Sequence, residues 1–250
     1  MSGDQYVHSI LSKYAVNAAA AQAAANSVAP VIQQWAGSQL ANLSYSGSFA
    51  KGTANNIGTD IDLFISLKAD TTKTLQQIYE SLYSKVSAQG WSARKQNVSI
   101  GITYAGRKID LVPGRIQSGY QNVHSLYKSK TGSWTQTNIK NHIDTVKNSG
   151  RTGEIRAIKI WRDLRGLSFP SFYLELFVID ALKGKTKGNV SANVLSALSS
   201  IGSNLTTRQL IDPANTNNVI SNDLTASEKA SIASKASASA TEKYWENIIW

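Results

Sequence analysis

The sequence predicts an α+β fold in which a mixed sheet with helices forms one lobe and helices form the other. Short apolar runs bounded by turn signals concentrate before about residue 120, whereas helical periodicity dominates after it. With 250 residues and 42% hydrophobic side chains, the chain can bury a substantial interior. We place the lobe boundary between residues 125 and 126, and expect a cleft between lobe 1–125 and lobe 126–250.

The first half of the chain predicts two helices and four strands. A long Ala-rich helix is expected from about Asp4 to Leu40, ended or kinked by Pro30. Apolar residues recur at helical spacing from Thr71 to Gln89, which predicts the second helix. Pro113-Gly114 is expected to end the last strand. The predicted strands are 42–46, 60–67, 98–104 and 107–112.

The second half predicts helices separated by polar loops. A capping box at Thr225–Glu228 is typical of the start of a final helix. The loop at 183–189 is rich in Lys, Gly and Asn, and it could contact a polyanion or be an ordinary surface loop. The other predicted helices are 140–147, 153–165, 172–182 and 190–200.

Composition excludes several kinds of site. The absence of cysteine rules out disulfides, Cys-based zinc sites and a thiol nucleophile, and three scattered histidines poorly supply a metal site or a triad. No signal peptide is recognisable, and no run approaches the roughly 18 apolar residues of a membrane span. We therefore expect a soluble, cytoplasmic protein without membrane contact. The net charge of +10 fits a polyanionic partner and plain solubility equally well.

The pair Asp60 and Asp62 opens an apolar strand, which is an unusual place for two acids. Residues two apart on a strand point to the same face, so the two carboxylates would lie side by side. Each raises the pKa of the other unless a cation neutralises them. Oxygen ligands of this kind suit Mg²⁺ or Mn²⁺. Asp110, on the predicted strand 107–112, could complete a triad and accept the proton of an attacking hydroxyl.

The segment Ser46–Thr53, reading SGSFAKGT, lies about ten residues before these acids. A turn at Gly47 and Ser48 between a strand and a helix would present backbone N–H groups and a hydroxyl to phosphates, and Lys51 would add a positive charge. A lone Asp-x-Asp usually faces solvent, and a lone Gly-Ser is usually a loop. The ordered set of turn, acid pair and later acid is far more specific.

This set resembles the signature of the DNA polymerase β-type nucleotidyltransferase superfamily. The finer resemblance is to the branch of 2′-5′-oligoadenylate synthases, cyclic GMP-AMP synthase and bacterial cyclic-oligonucleotide synthases, and archaeal CCA-adding enzymes are close relatives. Three further stretches extend the resemblance over most of residues 44–219. They are KIDLVP at 108–113, EIRAIKIWRDLRGLSFPSFYLE at 154–175 and LIDPANTNNV at 210–219.

The resemblance implies a polymerase β-like catalytic lobe and a role for each matched acid. Asp60 and Asp62 would bind two Mg²⁺ ions, and Asp110 would bind the one that activates the acceptor hydroxyl. Ser48 would hold the β- and γ-phosphates of a nucleoside triphosphate. The helical lobe would complete the nucleotide pocket.

The same resemblance implies that Lys159 contacts the triphosphate and that Ser171 and Phe172 hold and stack the donor base. Asp212 and Asn218 would belong to a late nucleotide-pocket or structural segment. The residues alone leave alternatives open, because the cationic face around Lys159 could be an ordinary solvated helix face. An aromatic residue in an apolar run, such as Phe172, is usually core packing.

Four functions are compatible with these observations. The first is a synthase that makes a cyclic di- or oligonucleotide second messenger from NTPs, releases pyrophosphate and serves antiphage signalling. The second is a CCA-adding or poly(A)-type enzyme with RNA as its acceptor. The third is an inactive nucleotide- or RNA-binding module, against which the three acids argue. An adenylyltransferase acting on a protein or drug has no specific support. Base, linkage, activator and oligomeric state are open.

Overall fold

A computed structural model describes residues 1–58, 60–120 and 122–250, which form two compact units. One unit contains Asn17–Ala50 and Asp60–Ile143, and the other contains Met1–Val16, residues 51–58 and Asp144–Trp250. The strands are β1 (Leu40–Tyr45), β2 (Ile61–Leu67), β3 (Arg94–Lys95), β4 (Ile100–Tyr104), β5 (Arg107–Ile116), β6 (His124–Lys128) and β7 (Ser133–Thr137). The helices are α1 (Gly3–Lys13), α2 (Ala18–Ala36), α3 (Gly47–Lys51), α4 (Leu75–Ser87), α5 (Ile139–Ser149), α6 (Thr152–Leu164), α7 (Ser171–Ala181), α8 (Val190–Asn204) and α9 (Ala226–Ala240).

The first unit is built on a mixed sheet with the strand order β1-β2-β5-β4-β3, extended by β6 beside β5 and by β7 beside β6. Strands β2 and β5 run parallel, and the other described pairings are antiparallel. Parallel neighbours need a crossover connection, and α4 lies within the one that joins β2 to β5. This arrangement puts β2 and β5 side by side in the interior of the sheet.

Alternation along β2 and β5 separates an apolar face from a polar one. Ile61, Leu63 and Ile65 of β2 are buried together with Ile109 and Leu111 of β5, in a core that also contains side chains of α2 and α4. The residues between them point to the opposite face, because successive strand side chains alternate. The acids of both strands are therefore on the face that α2 and α4 do not cover.

The second unit is helical and has its own core. Buried residues from α1, α6, α7, α8 and α9 form one continuous apolar cluster. Trp161 of α6 is fully buried there, and its indole N–H donates to Oγ of Ser239 in α9 at 2.9 Å. The capping box predicted at Thr225 is present and begins α9. In the described part of the chain, no helix is both long and apolar enough to cross a membrane.

The predicted α+β class is confirmed, and several details differ. Pro30 neither ends nor bounds a helix but lies inside α2, on an exposed face where water can satisfy the carbonyl group that loses its partner. The predicted first helix is instead divided at Tyr14–Asn17, where the side chain of Asn17 caps α2. Strand β5 continues through Pro113-Gly114, which pair with Ile65 and Ser66.

The two compact units are not separated at a single point in the chain, and the predicted lobes 1–125 and 126–250 stay a prediction. The hairpin β6–β7, which was not predicted, pairs with β5 and so extends the sheet unit to Ile143. Helix α1 and residues 51–58 group with the helical unit, although they lie early in the chain. Each unit is thus assembled from separate stretches of sequence. The predicted cleft stays a prediction.

Candidate active site

Asp62 and Asp110 are direct neighbours across the parallel pair β2–β5. Residues in register on adjacent strands have side chains on the same face of the sheet, with β-carbons about 5 Å apart. Both side chains are half-buried. The sheet therefore brings together two acids that are far apart in the sequence.

Asp60 precedes β2 and acts electrostatically on the same place. Burial raises the pKa of Asp110 above its ordinary value, and the negative charge of Asp60 raises it further. The positive charge of Arg94 opposes this rise, and its Nη2 lies 3.7 Å from Oδ2 of Asp60. Asp110 is thus a carboxylate whose ionised form is disfavoured by its surroundings.

Gln96 and Gly101 complete the surroundings of Asp110, and neither was predicted as a site residue. Nε2 of Gln96 donates to Oδ1 of Asp110 at 3.0 Å, and Oε1 of Gln96 accepts from Oγ of Ser99 at 2.6 Å. Gly101 pairs with Asp110 from β4, and a β-carbon there would lie 2.6 Å from Nε of Arg94 and 2.7 Å from Nε2 of Gln96. Only the sheet register reveals this role for Gly101, since its local sequence gives no signal.

Gly47 fits against the carboxylate of Asp62. Its φ of +54° lies in the region that favours glycine, and a β-carbon there would fall 1.7 Å from Oδ2 of Asp62. The backbone N–H of the preceding Ser46 donates to the carbonyl oxygen of Asp62 at 2.9 Å. Ser48 follows in the first turn of α3 and is half-buried. The predicted strand–turn–helix at Gly47 and Ser48 is therefore present beside the acid pair.

Lys51 and Lys159 lie in the helical unit and share one buried carboxylate, that of Glu175 in α7. Nζ of Lys51 is 2.8 Å from Oε2, and Nζ of Lys159 is 2.5 Å from Oε1. Thr53 donates to Oε1 of Glu175 at 2.7 Å and accepts from Lys159 at 3.0 Å. All four residues are buried. Two lysines and one glutamate give this lysine–glutamate cluster a net charge of +1.

The cluster sets the ionisation of Glu175. Burial alone would raise the pKa of Glu175, but the positive charges of Lys159 and Lys51 outweigh burial and lower it to about 2. Burial lowers the pKa of Lys159, and the charge of Glu175 opposes that shift. The lysines predicted to meet phosphates are therefore engaged with Glu175, which the sequence showed only as an acid within an apolar helix.

Ser171 and Phe172 begin α7, next to this cluster. Nζ of Lys51 lies 4.3 Å from the centre of the Phe172 ring, a cation–π contact. Oγ of the exposed Ser171 accepts from Nη1 of Arg162 at 3.0 Å, and the same nitrogen donates to the carbonyl oxygen of Phe169 at 2.8 Å. The structure thus brings Phe172 to Lys51 and ties Ser171 to α6.

Asp212 and Asn218 close a turn on themselves. Asp212 is buried, its Oδ1 accepts from the backbone of Ala214 at 2.8 Å, and its Oδ2 accepts from Nδ2 of Asn218 at 3.2 Å. The backbone N–H of Asp212 donates to the carbonyl oxygen of Asn218 at 2.9 Å. These contacts hold the segment together, and a role of the segment in the nucleotide pocket stays a prediction.

Within residues 1–58, 60–120 and 122–250, no three His, Asp or Glu side chains are grouped closely enough to hold a metal ion. The structure supplies a pair of carboxylates, those of Asp62 and Asp110, with Asp60 near them. The three-carboxylate metal site stays a prediction.

Comparison with known proteins finds similarity to nucleotidyltransferases. No protein-family model matches it. Over 159 residues it is 26% identical to the cyclic AMP-AMP-AMP synthase of Escherichia coli strain MS 115-1. The matched region covers 58% of this chain and 49% of that protein. The chain therefore spans about half the length of this curated relative. The structure of E. coli MS115-1 CdnC with ATP matches 95% of this chain and 90% of its own, with a TM-score of 0.73 and 20% identity.

The chain shares the fold of this CdnC structure. The sequence match is to a cyclic-oligonucleotide synthase, as the motif resemblance predicted. A similar fold occurs in the Cid1 poly(U) polymerase, whose mutant structure bound to MgATP matches 98% of this chain and 97% of its own. That match has a TM-score of 0.70 and 11% identity.

Proposed function

We propose that this chain is a nucleotidyltransferase that makes a cyclic di- or oligonucleotide second messenger from NTPs and releases pyrophosphate. The observation that carries the proposal is the in-register pair Asp62–Asp110, with Gly47 closed against Asp62. Similarity to a cyclic AMP-AMP-AMP synthase supports the cyclic product. The proposal includes a cytoplasmic location and a role in antiphage signalling.

A divalent cation fits the acid pair. The ligands available are carboxylate oxygens, which Mg²⁺ and Mn²⁺ prefer. Burial, and after it the negative charge of Asp60, raises the pKa of Asp110, and a cation beside these carboxylates would favour their ionised forms. We therefore propose that Asp60, Asp62 and Asp110 hold Mg²⁺. When bound, the ion would neutralise phosphate charge and lower the pKa of the acceptor hydroxyl.

Each of these residues would then have its own role in the nucleotidyl transfer. A ribose hydroxyl oxygen attacks the α-phosphorus of an NTP, the new P–O bond forms, and the bond to the β-phosphate oxygen breaks to release pyrophosphate. Asp110 would accept the hydroxyl proton, since an ionised carboxylate beside the acceptor hydroxyl can act as a general base. Ring closure needs a second transfer of the same kind within the linear intermediate.

The nucleotide-binding roles extend this proposal to the turn and the helical unit. Ser48 would hold the β- and γ-phosphates from the first turn of α3. Lys51 and Lys159 would meet the triphosphate, and the net charge of +1 on their cluster with Glu175 favours an anion. Phe172, which contacts Lys51, would stack on the donor base.

An RNA-terminal nucleotidyltransferase is the second candidate, supported by the fold shared with the poly(U) polymerase and by the basic charge. Labelled NTPs with Mg²⁺ and no RNA separate the two functions. Small products that resist phosphatase support cyclic synthesis, whereas label that enters only added RNA supports the second candidate. Chromatography with each NTP combination then identifies the bases.

A third reading, an inactive binding module, is tested with acid variants. Asp62→Asn should abolish turnover and leave the thermal unfolding cooperative. Asp70→Asn is the matched control, because Asp70 is exposed and lies outside the acid pair. Unchanged turnover in the Asp62→Asn variant would defeat the enzyme assignment.

A further inference from the structure

The helical unit contains a cavity of about 500 Å³ that none of the proposed catalytic acids lines. It lies beside the C-terminal half of α7 and two loops, 182–187 and 210–213. A volume of this size is within the range of small-molecule sites. Aliphatic side chains make its floor: Leu176, Ile179, Leu182, Leu210 and Ile211.

The rim of the cavity is positively charged. Lys183, Lys185 and Lys187 line it, all three are exposed, and none forms an ion pair with a residue that the structure describes. The acid on the rim, Asp180, is neutralised by Arg208, whose Nη2 lies 2.6 Å from Oδ2. An apolar floor beneath unneutralised lysines suits a ligand with an apolar body and a negative group.

Buried polar contacts fix the lysine loop in place. The guanidinium group of Arg151 is buried and donates to the carbonyl oxygens of Leu182 at 3.1 Å, Thr186 at 3.4 Å and Lys185. Nδ2 of the buried Asn193 also donates to the carbonyl oxygen of Thr186, at 3.0 Å. The rim is therefore preorganised, which lowers the entropic cost of binding a ligand.

The side chain of Lys187 lies over Gly150 at the same rim. A β-carbon at Gly150, whose φ is +66°, would lie 2.6 Å from Nζ of Lys187. No aromatic side chain is among the lining residues, so the cavity lacks the stacking surface that single-stranded nucleic acid uses. These features favour a small ligand over a nucleic acid.

We propose that this cavity binds an amphipathic organic anion, with an apolar body on the aliphatic floor and a sulfonate-, carboxylate- or phosphate-type group at the lysine rim. The site is independent of the acid pair, since the two share no residue. It is a second binding function of the helical unit, in addition to the proposed synthesis.

The experiment uses 1-anilinonaphthalene-8-sulfonate, an amphipathic anion that fluoresces in apolar sites, and its uncharged relative N-phenyl-1-naphthylamine. Wild-type protein should bind the anion at one saturable site and the uncharged probe more weakly. The double variant Lys185→Glu with Lys187→Glu should weaken anion binding about tenfold, the scale expected for two exposed charge pairs. Ile211 is half exposed and belongs to the apolar floor. The variant Ile211→Asp should therefore weaken the binding of both probes.

The control is Lys235→Glu with Lys243→Glu, which makes the same charge change at exposed positions outside the cavity. It should bind the anion like the wild type, and thermal unfolding should show that all variants are folded. Equal losses in both double variants, or no loss in either, would overturn the proposal. The Asp62→Asn variant should bind 1-anilinonaphthalene-8-sulfonate like the wild type. Anion binding at the cavity can therefore be confirmed even if the synthase assignment fails.

Discussion

A β-carbon on Gly47 would lie 1.7 Å from Oδ2 of Asp62, so these two residues can keep their positions only if residue 47 has no side chain. The substitution Gly47→Ala must therefore move the turn, the carboxylate or both. A displacement of about 1 Å in a catalytic site can cost about 100-fold in rate. We predict a loss of that order in kcat/KM for Gly47→Ala.

The control for this prediction is Gly106→Ala. Gly106 also has a positive φ, of +73°, but a β-carbon there would meet no atom within 4 Å. It therefore carries the conformational cost of alanine, about 1–3 kcal/mol, without the clash. Steady-state rates and thermal unfolding of both variants separate the conformational cost from the clash. Equal rates in the two variants would contradict the prediction that the close approach of Gly47 to Asp62 matters for catalysis.

The Asp110→Asn variant should be more stable than the wild type when no divalent cation is present. Burial and the charge of Asp60 raise the pKa of Asp110, so the folded state binds more protons than the unfolded state just above the ordinary aspartate pKa. The contribution of Asp110 to the free energy of unfolding therefore falls as pH rises through that range. The uncharged amide in the variant does not titrate, so the variant avoids this loss.

Melting temperatures in EDTA at neutral pH test this expectation. A rise of about 2–4 °C corresponds to roughly 1 kcal/mol in a chain of this size. Added Mg²⁺ should stabilise the wild type more than Asp110→Asn, while turnover in the variant is lost. An Asp110→Asn variant that melts below the wild type in EDTA would show that the carboxylate is not under electrostatic strain.

The sequence predicted β2 and β5 and their acids, because strand alternation is a local property. It could not predict that β2 and β5 pair in parallel with Asp62 opposite Asp110, which depends on a crossover of nearly forty residues. The hairpin β6–β7 was missed because its short strands, such as SWTQT, are mostly polar and have exposed positions such as Trp134. The neutralisation of Lys51 by Glu175 joins residues 124 positions apart.

Gln96→Ala should shift the acidic limb of the rate profile to higher pH. The hydrogen bond from Gln96 lowers the pKa of Asp110, so its removal leaves burial and the charge of Asp60 less opposed. A base with a higher pKa stays protonated up to a higher pH, so the loss of rate on acidification should begin at a higher pH than in the wild type. The pH dependence of kcat/KM measures the shift. Gln76→Ala, at an exposed position of α4, should leave the profile unchanged.

Glu175→Gln should destabilise the helical unit strongly, because it leaves Lys51 and Lys159 buried without a negative partner. Loss of one partner in a buried charge cluster costs about 3–5 kcal/mol. The pKa of Glu175 is lowered to about 2, so its contribution is full above the unfolded value of 4.5 and declines as pH falls toward 2. The difference in melting temperature between variant and wild type should therefore narrow over that acidic range.

Lys51→Met provides the discriminating comparison for this cluster. It removes the surplus cation and keeps the pair between Lys159 and Glu175, so it should cost less stability than Glu175→Gln. Glu80→Gln, which breaks the exposed pair with Lys95, should change the melting temperature little. If Lys51→Met were as damaging as Glu175→Gln, the stability would come from packing around Lys51 rather than from the shared carboxylate. A smaller loss, with weaker NTP binding in Lys51→Met, would instead mean that the surplus positive charge is retained for the triphosphate.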